Sequence, residues 1–157
     1  MDRNYAIPEP VSNLKSHLGF WMRFVSNHVS HAFAAKLLAS GVSVAEWVVL
    51  REMYGRDDTS PSSIADFTGV TRGAVSKLVD RLVERKLVLR IDRTDDRRYQ
   101  DIRLTASGNR LVPALGVLAD SNDQEFFAAL SKSERATLLA ILKKLAQANN
   151  LQKLPTE

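Results

Sequence analysis

Residues 61–104 read PSSIADFTGVTRGAVSKLVDRLVERKLVLRIDRTDDRRYQDIRL, and this stretch decides the fold. Ala65, Gly69 and Val75 space a small residue, a glycine and a β-branched apolar residue along it. Two helices that cross closely need a small side chain at the crossing. The chain between them turns where glycine takes φ > 0 without steric cost. Val75 then packs between the two helices. This spacing recurs in helix-turn-helix units, whose second helix enters the major groove of DNA.

The second helix is predicted from its periodicity. Val75, Leu78, Val79, Leu82 and Val83 fall on one face, the i, i+3, i+4 pattern of a half-buried helix. Arg72, Gly73, Ser76, Lys77, Asp80, Arg81 and Glu84 fall on the other. Thr71 is the expected N-cap, its hydroxyl accepting from an otherwise unpaired amide of the first turn. Acids normally favour that turn because of the helix macrodipole, yet here it holds Arg72 and Gly73. A cation there suits an anionic partner; the plainer reading is an amphipathic helix with an ordinary solvated face.

A hairpin follows. Leu87, Leu89 and Ile91 alternate with Val88, Arg90 and Asp92, and beyond the tip Ile102 and Leu104 alternate with Asp101 and Arg103. That period of two predicts two half-buried antiparallel strands. Between them, Asp92-Arg93-Thr94-Asp95-Asp96-Arg97-Arg98 contains no apolar residue. Such a tip is either a solubilising loop of mutually paired charges or a wing that lays guanidinium groups along phosphates or into a minor groove. Its place directly after the recognition helix favours the wing.

The helix TRGAVSKLVDRLVERKLV, the tip DRTDDRR and the strand exit IRLTASG together resemble the winged-helix core of MarR-type bacterial transcriptional regulators. The likeness extends to a long helix before the core and two after it, and so covers nearly the whole chain. Its most specific part is Asp96 and Arg98 at the wing, followed by Leu104, Thr105 and Gly108. The resemblance implies that Arg98 reaches toward the minor groove and that Asp96 braces it, with Arg97 able to share or take the role. It also implies an intertwined homodimer joined by the terminal helices. The fold expected is mainly α with a small β-hairpin wing. Residues 1–40 would form an N-terminal dimerisation helix, 41–104 the winged helix-turn-helix core, and 105–157 the C-terminal dimerisation helices.

Composition agrees. The 157 residues carry a formal net charge of +4, and their length suits one domain. From Thr71 to Arg98 there are nine basic residues (Arg72, Lys77, Arg81, Arg85, Lys86, Arg90, Arg93, Arg97, Arg98) against five acids (Asp80, Glu84, Asp92, Asp95, Asp96). The whole excess charge therefore lies in the segment proposed to meet DNA, as counterion release requires. There is no cysteine, which excludes disulfides, thiolate metal sites and cysteine-based oxidant sensing. No apolar run is long enough to span a bilayer and no signal pattern opens the chain, so a cytoplasmic protein away from membranes is expected.

The flanking segments read as helices. Leu14, Leu18, Trp21, Val25, Val29 and Ala32 line one face of a helix from about Ser12 to Ala39, ended by Gly41. A shorter helix begins at Ser43, runs through Trp47, Leu50 and Met53, and is closed by Gly55. Ser60-Pro61 opens the next. After the wing, Thr105 caps a helix toward Leu130 with Pro113 inside it. Ser131 and Glu134 then form a capping box for a last helix carrying Leu138, Leu139, Ile141, Leu142 and Leu145. Residues before Val11 and after Asn149 read as frayed. A winged-helix core is too small to bury these apolar faces, and a two-fold partner would bury them; the competing reading folds the helices back on a monomer.

The candidate DNA-contacting residues are Arg72, Ser76 and Lys77 for groove and phosphates, with Thr71, Gly73 and Ala74 permitting close approach. Arg81 would reach a flanking phosphate, and Arg93, Arg97 and Arg98 would serve the wing. Within the resembled family, phenolic or aromatic carboxylate effectors bind between the dimer helices and the DNA-binding lobe. Trp21, Phe24, His28, His31 and Trp47 are the candidate pocket here, although for any one of them the plainer reading, core for the aromatics and a polar edge for the histidines, is the favoured one. His28 and His31 lack a third ligand nearby, so neither a metal nor any other cofactor is expected. No nucleophile elbow, phosphate-cradling glycine loop or His-x-x-x-His spacing points to an enzyme. The expected function is a sequence-specific regulator, a repressor, on double-stranded DNA; the alternatives are a winged-helix protein-docking module and a sequence-blind architectural DNA binder.

Overall fold

The computed structural model describes residues 11–92 and 100–151. Six helices and one hairpin follow in the order α1 (Leu18–Leu38), α2 (Val44–Met53), α3 (Pro61–Thr68), α4 (Arg72–Glu84), β1 (Val88–Asp92), β2 (Gln100–Leu104), α5 (Ala106–Phe126) and α6 (Lys132–Ala148). The mainly α class with a hairpin wing is thus observed.

The cap chemistry explains most of the boundaries. Ser60 accepts from the Ser63 amide at 3.0 Å and places Pro61 in the first turn of α3, where its missing N–H costs nothing. α3 ends at Gly69, whose φ of +73° lets its amide bond Ala65, a position a side chain would strain. Thr71 caps α4 by accepting from the Ala74 amide at 3.2 Å. Capping boxes close the starts of α2 (Ser43 with Glu46) and α6 (Ser131 with Glu134).

The core is a single cluster. Val75, Leu78, Val79 and Leu82 of α4 are buried against Ile64 and Ala65 of α3, Val49, Leu50 and Met53 of α2, and Ile102 and Leu104 of β2. α1 joins through Leu37, and α5 through Val112 and Leu115. Ala65, the small residue expected at the crossing, is buried where α3 meets α4. Thr59 adds a single antiparallel bridge to Ile102 beside the hairpin, and Arg103 fastens the same edge by donating to Asp58 at 2.8 Å.

Three expectations are corrected. The first helix does not run unbroken from Ser12. Leu14–Ser16 form a 3-10 turn, His17 is extended, and α1 begins at Leu18. The Asn13 side chain accepts from Lys15 and the Ser16 hydroxyl donates back to Asn13, local bonds that compete with helix propagation. α5 ends at Phe126 rather than Leu130, with the turn that follows closed by the Leu130 amide on Phe127. In β1 the phase differs from the one the leucines suggested. Val88 pairs with Leu104 and Arg90 with Ile102, so Val88 is buried while Leu89 is exposed. Arg90 occupies the next position on the Val88 face because Asp80 on α4 receives it.

Candidate nucleic-acid interface

The first turns of α4 set the site. Thr71, Arg72, Gly73, Ala74, Ser76 and Lys77 are all exposed, while Val75, Leu78 and Val79 between them are buried. The helix packs by one stripe and presents the other. No acid lies in its first turn, and neither Arg72 nor Lys77 forms an ion pair with another of the described residues. A Cβ added at Gly73 would meet open space, so the backbone there is bare. Exposed amide, hydroxyl and cationic groups at a helix N-terminus are a surface for anions.

The base of the wing is tied to α4. Arg90 donates to Asp80 at 2.5 Å, and Gln100 donates to Asp92 at 2.7 Å across the strand pair. The hairpin thereby keeps a set direction relative to the exposed face of α4. Arg93, Asp96, Arg97 and Arg98 lie outside the described residues.

Arg81 is placed differently from Arg72 and Lys77. Its Nε donates to Glu46 Oε1 at 3.2 Å, and Arg85 Nη1 stands 3.6 Å from Oε2 of the same carboxylate. Arg85 also donates to the Gly41 carbonyl at 2.8 Å. Of the six described basic residues in this segment, Arg81, Arg85 and Arg90 thus have acidic partners inside the protein. Sequence reasoning passed over Glu46. Its signal was the Ser43-x-x-Glu46 capping box, which a single alignment of charge along α4 does not reveal.

Burial raises the pKa of Glu46, but hydrogen bonds from Ser43 and Arg81 and the charge of Arg85 together hold it below the ordinary 4.5. A lowered folded-state pKa adds stability that is fully present above the unfolded value. That stability is lost as pH falls through the folded value. Glu46→Gln is therefore expected to cost about 2 kcal/mol at pH 7. In urea unfolding the two proteins should converge as the pH drops below the normal carboxylate range; a difference that persists there would contradict the charge pairing.

The aromatic candidates divide. Trp21, Phe24 and His28 follow one another along α1, Trp21 edge-on to Phe24, and the Phe24 and His28 centroids 4.4 Å apart. His31 is exposed on the same helix. Trp47 instead sits on α2 against Phe33, 6.2 Å away, packed on the core. Within one protomer the structure does not gather all five. Trp21 also lines a cavity of about 540 Å³ with Met22, Val25, Phe127, Leu138 and Leu142. Among the described residues no helix is long and apolar enough to cross a membrane.

Residues 40–98, which include all of α4 and β1, match the model of the MarR family. Over 108 residues the chain is 30% identical to the HTH-type transcriptional repressor MdtR of Bacillus subtilis, covering 69% of this chain and 70% of that protein. The chain belongs to the MarR family. Another family likeness, 28% identical over 134 residues, is to a Thauera aromatica protein described as a candidate transcriptional regulatory protein for the hcr operon; it spans 85% of this chain and 81% of the relative. Among solved structures, a mutant MarR from Escherichia coli complexed with operator DNA matches with a TM-score of 0.74 at 26% identity, over 82% of this chain and 92% of that one. This MarR-family chain is accordingly a transcriptional regulator with the winged helix-turn-helix fold, and its family's role is not enzymatic.

Proposed function

We propose that the chain is a homodimeric, cytoplasmic repressor that binds a pseudo-palindromic operator in double-stranded DNA and responds to a small aromatic or phenolic ligand. The observation that carries this reading is the exposed first half of α4, which combines Arg72, Ser76 and Lys77 with a bare Gly73 and no acid in its first turn. Arg72, Ser76 and Lys77 contact the groove and its phosphates, and Thr71, Gly73 and Ala74 allow close approach. Arg81 meets a flanking phosphate. Arg93, Arg97 and Arg98 supply the wing, with Asp96 as their brace. Repression is supported by the name of the MdtR relative and operator binding by that of the E. coli complex.

The dimer reading rests on what one protomer leaves uncovered. α6 buries none of its residues, and Leu138, Leu139, Ile141, Leu142 and Leu145 are all exposed. Leu14, Leu18, Trp21 and Val25 are likewise exposed at the other end of the chain. A second copy seated on these faces removes them from water, and residues 1–40 and 105–157 then serve as the dimerisation arms of the 41–104 reading unit. Two-fold symmetry sets the half-sites one helical turn apart, about 10 bp centre to centre. The effector is assigned to the aromatic row of Trp21, Phe24, His28 and His31 and to Trp47 across the arm.

Two substitutions test the α4 assignment. Lys77→Ala is expected to lower the slope of log K against log salt by about one unit, read in fluorescence-anisotropy titrations; an unmoved slope would remove Lys77 from the phosphate contacts. Gly73→Ala is expected to stabilise α4 by about 0.5 kcal/mol yet to weaken operator binding. A variant that melts higher and binds as well as the wild type would place Gly73 away from DNA.

A further inference from the structure

Glu46 is only 6% exposed, and its two oxygens have separate partners. Oε2 accepts from the Ser43 backbone N–H at 2.9 Å and completes the cap of α2. Oε1 accepts from Nε of Arg81 at 3.2 Å. Arg85, 3.6 Å from Oε2 and bonded to the Gly41 carbonyl at 2.8 Å, fastens the carboxylate to the corner between α1 and α2. The carboxylate cannot turn without opening the cap or releasing an arginine.

Arg81 therefore enters its task already restrained. The grip is at Nε, while the side chain is 53% exposed, and none of the described residues takes its two terminal nitrogens. A guanidinium is planar, so fixing Nε and the stem fixes the plane and leaves the terminal edge pointing outward. A free arginine must give up rotamer freedom on reaching a phosphate; one held at Nε has given up most of it on folding.

We propose that Glu46 is a positioning residue for DNA binding, holding Arg81 at Nε so that its terminal nitrogens are aimed at a backbone phosphate. The inference rests on the assignment of Arg81 as a phosphate contact. Glu46→Gln separates the two duties of the carboxylate, because a glutamine keeps one acceptor oxygen for the Ser43 cap and turns an amide N–H₂ toward Arg81.

The test uses the full chain and a duplex recovered by the wild-type protein from fragmented genomic DNA. Affinity and salt slope are measured for the wild type, Arg81→Ala, Glu46→Gln and the double variant. Arg81→Ala should bind about tenfold more weakly with a slope lower by about one. Glu46→Gln should lose about three- to tenfold in affinity with the slope unchanged. The double variant should match Arg81→Ala alone, because Glu46 has nothing left to aim. Losses that multiply in the double variant would overturn the proposal while leaving the Arg81 contact standing. Wild-type affinity and slope in Arg81→Ala would overturn the contact itself and the proposal with it. Arg81→Lys gives a second route if Glu46→Gln folds poorly, since lysine keeps the charge but has no Nε to grip. It should retain the slope and lose affinity, and wild-type affinity in that variant would overturn the proposal.

Discussion

Gly108→Ala is expected to destabilise the fold by about 3 kcal/mol, the upper end of the cost of overpacking a tight core. Gly108 is buried two residues into α5, and an added Cβ would overlap the carbonyl oxygen of Leu87 and stand 3.1 Å from Leu104 Cδ2. Neither neighbour can yield cheaply. The Leu87 carbonyl accepts from the Thr105 amide at 3.0 Å and from the Thr105 hydroxyl at 3.2 Å. That same hydroxyl caps α5 by accepting from the Gly108 amide at 3.0 Å. Relief of the overlap must move backbone at the join of α4 with β1, or undo the cap, or push Leu104 out of the core. For a chain of this size the loss corresponds to a fall in Tm of roughly 6–12 °C. A thermal melt within 2 °C of the wild type (about 2 °C per kcal/mol being the smallest shift expected) would show that the start of α5 has room the structure does not give it.

Leu142→Glu is expected to have the largest effect on DNA binding without touching the reading helix. Leu142 is 41% exposed on α6 and lines the same cavity as Trp21, Val25 and Leu138. In one protomer the substitution replaces a solvent-facing leucine and should leave the monomer's fold intact. In a dimer it places a charge where two apolar faces meet, which is costly without a partner. Light scattering should then report the mass of one chain rather than two. Affinity for a two-half-site duplex should fall by about 100-fold or more, since the second half-site is no longer engaged by a linked copy. A variant that remains dimeric would move the interface away from α6.

The helix-turn-helix was legible because its signals are local. Thr71, Gly69 and the Val75–Leu82 stripe each specify their own turn or face, and the structure places all of them as their chemistry requires. Gly108 was visible in the strand exit, but the reason for it was not, because the Leu87 carbonyl that excludes a side chain lies across the fold. The phase of β1 was hidden for a similar reason. Leu89 looks inward by hydrophobicity, yet the register with β2 and the pull of Asp80 on Arg90 select the opposite face. The break at His17 comes from side chains of Asn13 and Ser16 that bond their own backbone, a competition that apolar periodicity does not register. Charge was the least legible quantity. Counting basic residues from Thr71 to Arg98 located the basic segment, but only the folded structure separates Arg72 and Lys77 from Arg81, Arg85 and Arg90, which have acidic partners.

The central claim is that two copies of the chain read DNA by sequence, and selection of duplexes from a fragmented genomic pool tests it most directly. The protein is incubated with the pool at moderate salt, and the retained DNA is sequenced. The account predicts a pseudo-palindrome whose half-site centres lie about 10 bp apart. Retention with no common motif would contradict it in favour of a sequence-blind architectural binder, and no retention at low or moderate salt would contradict it in favour of a protein-docking module.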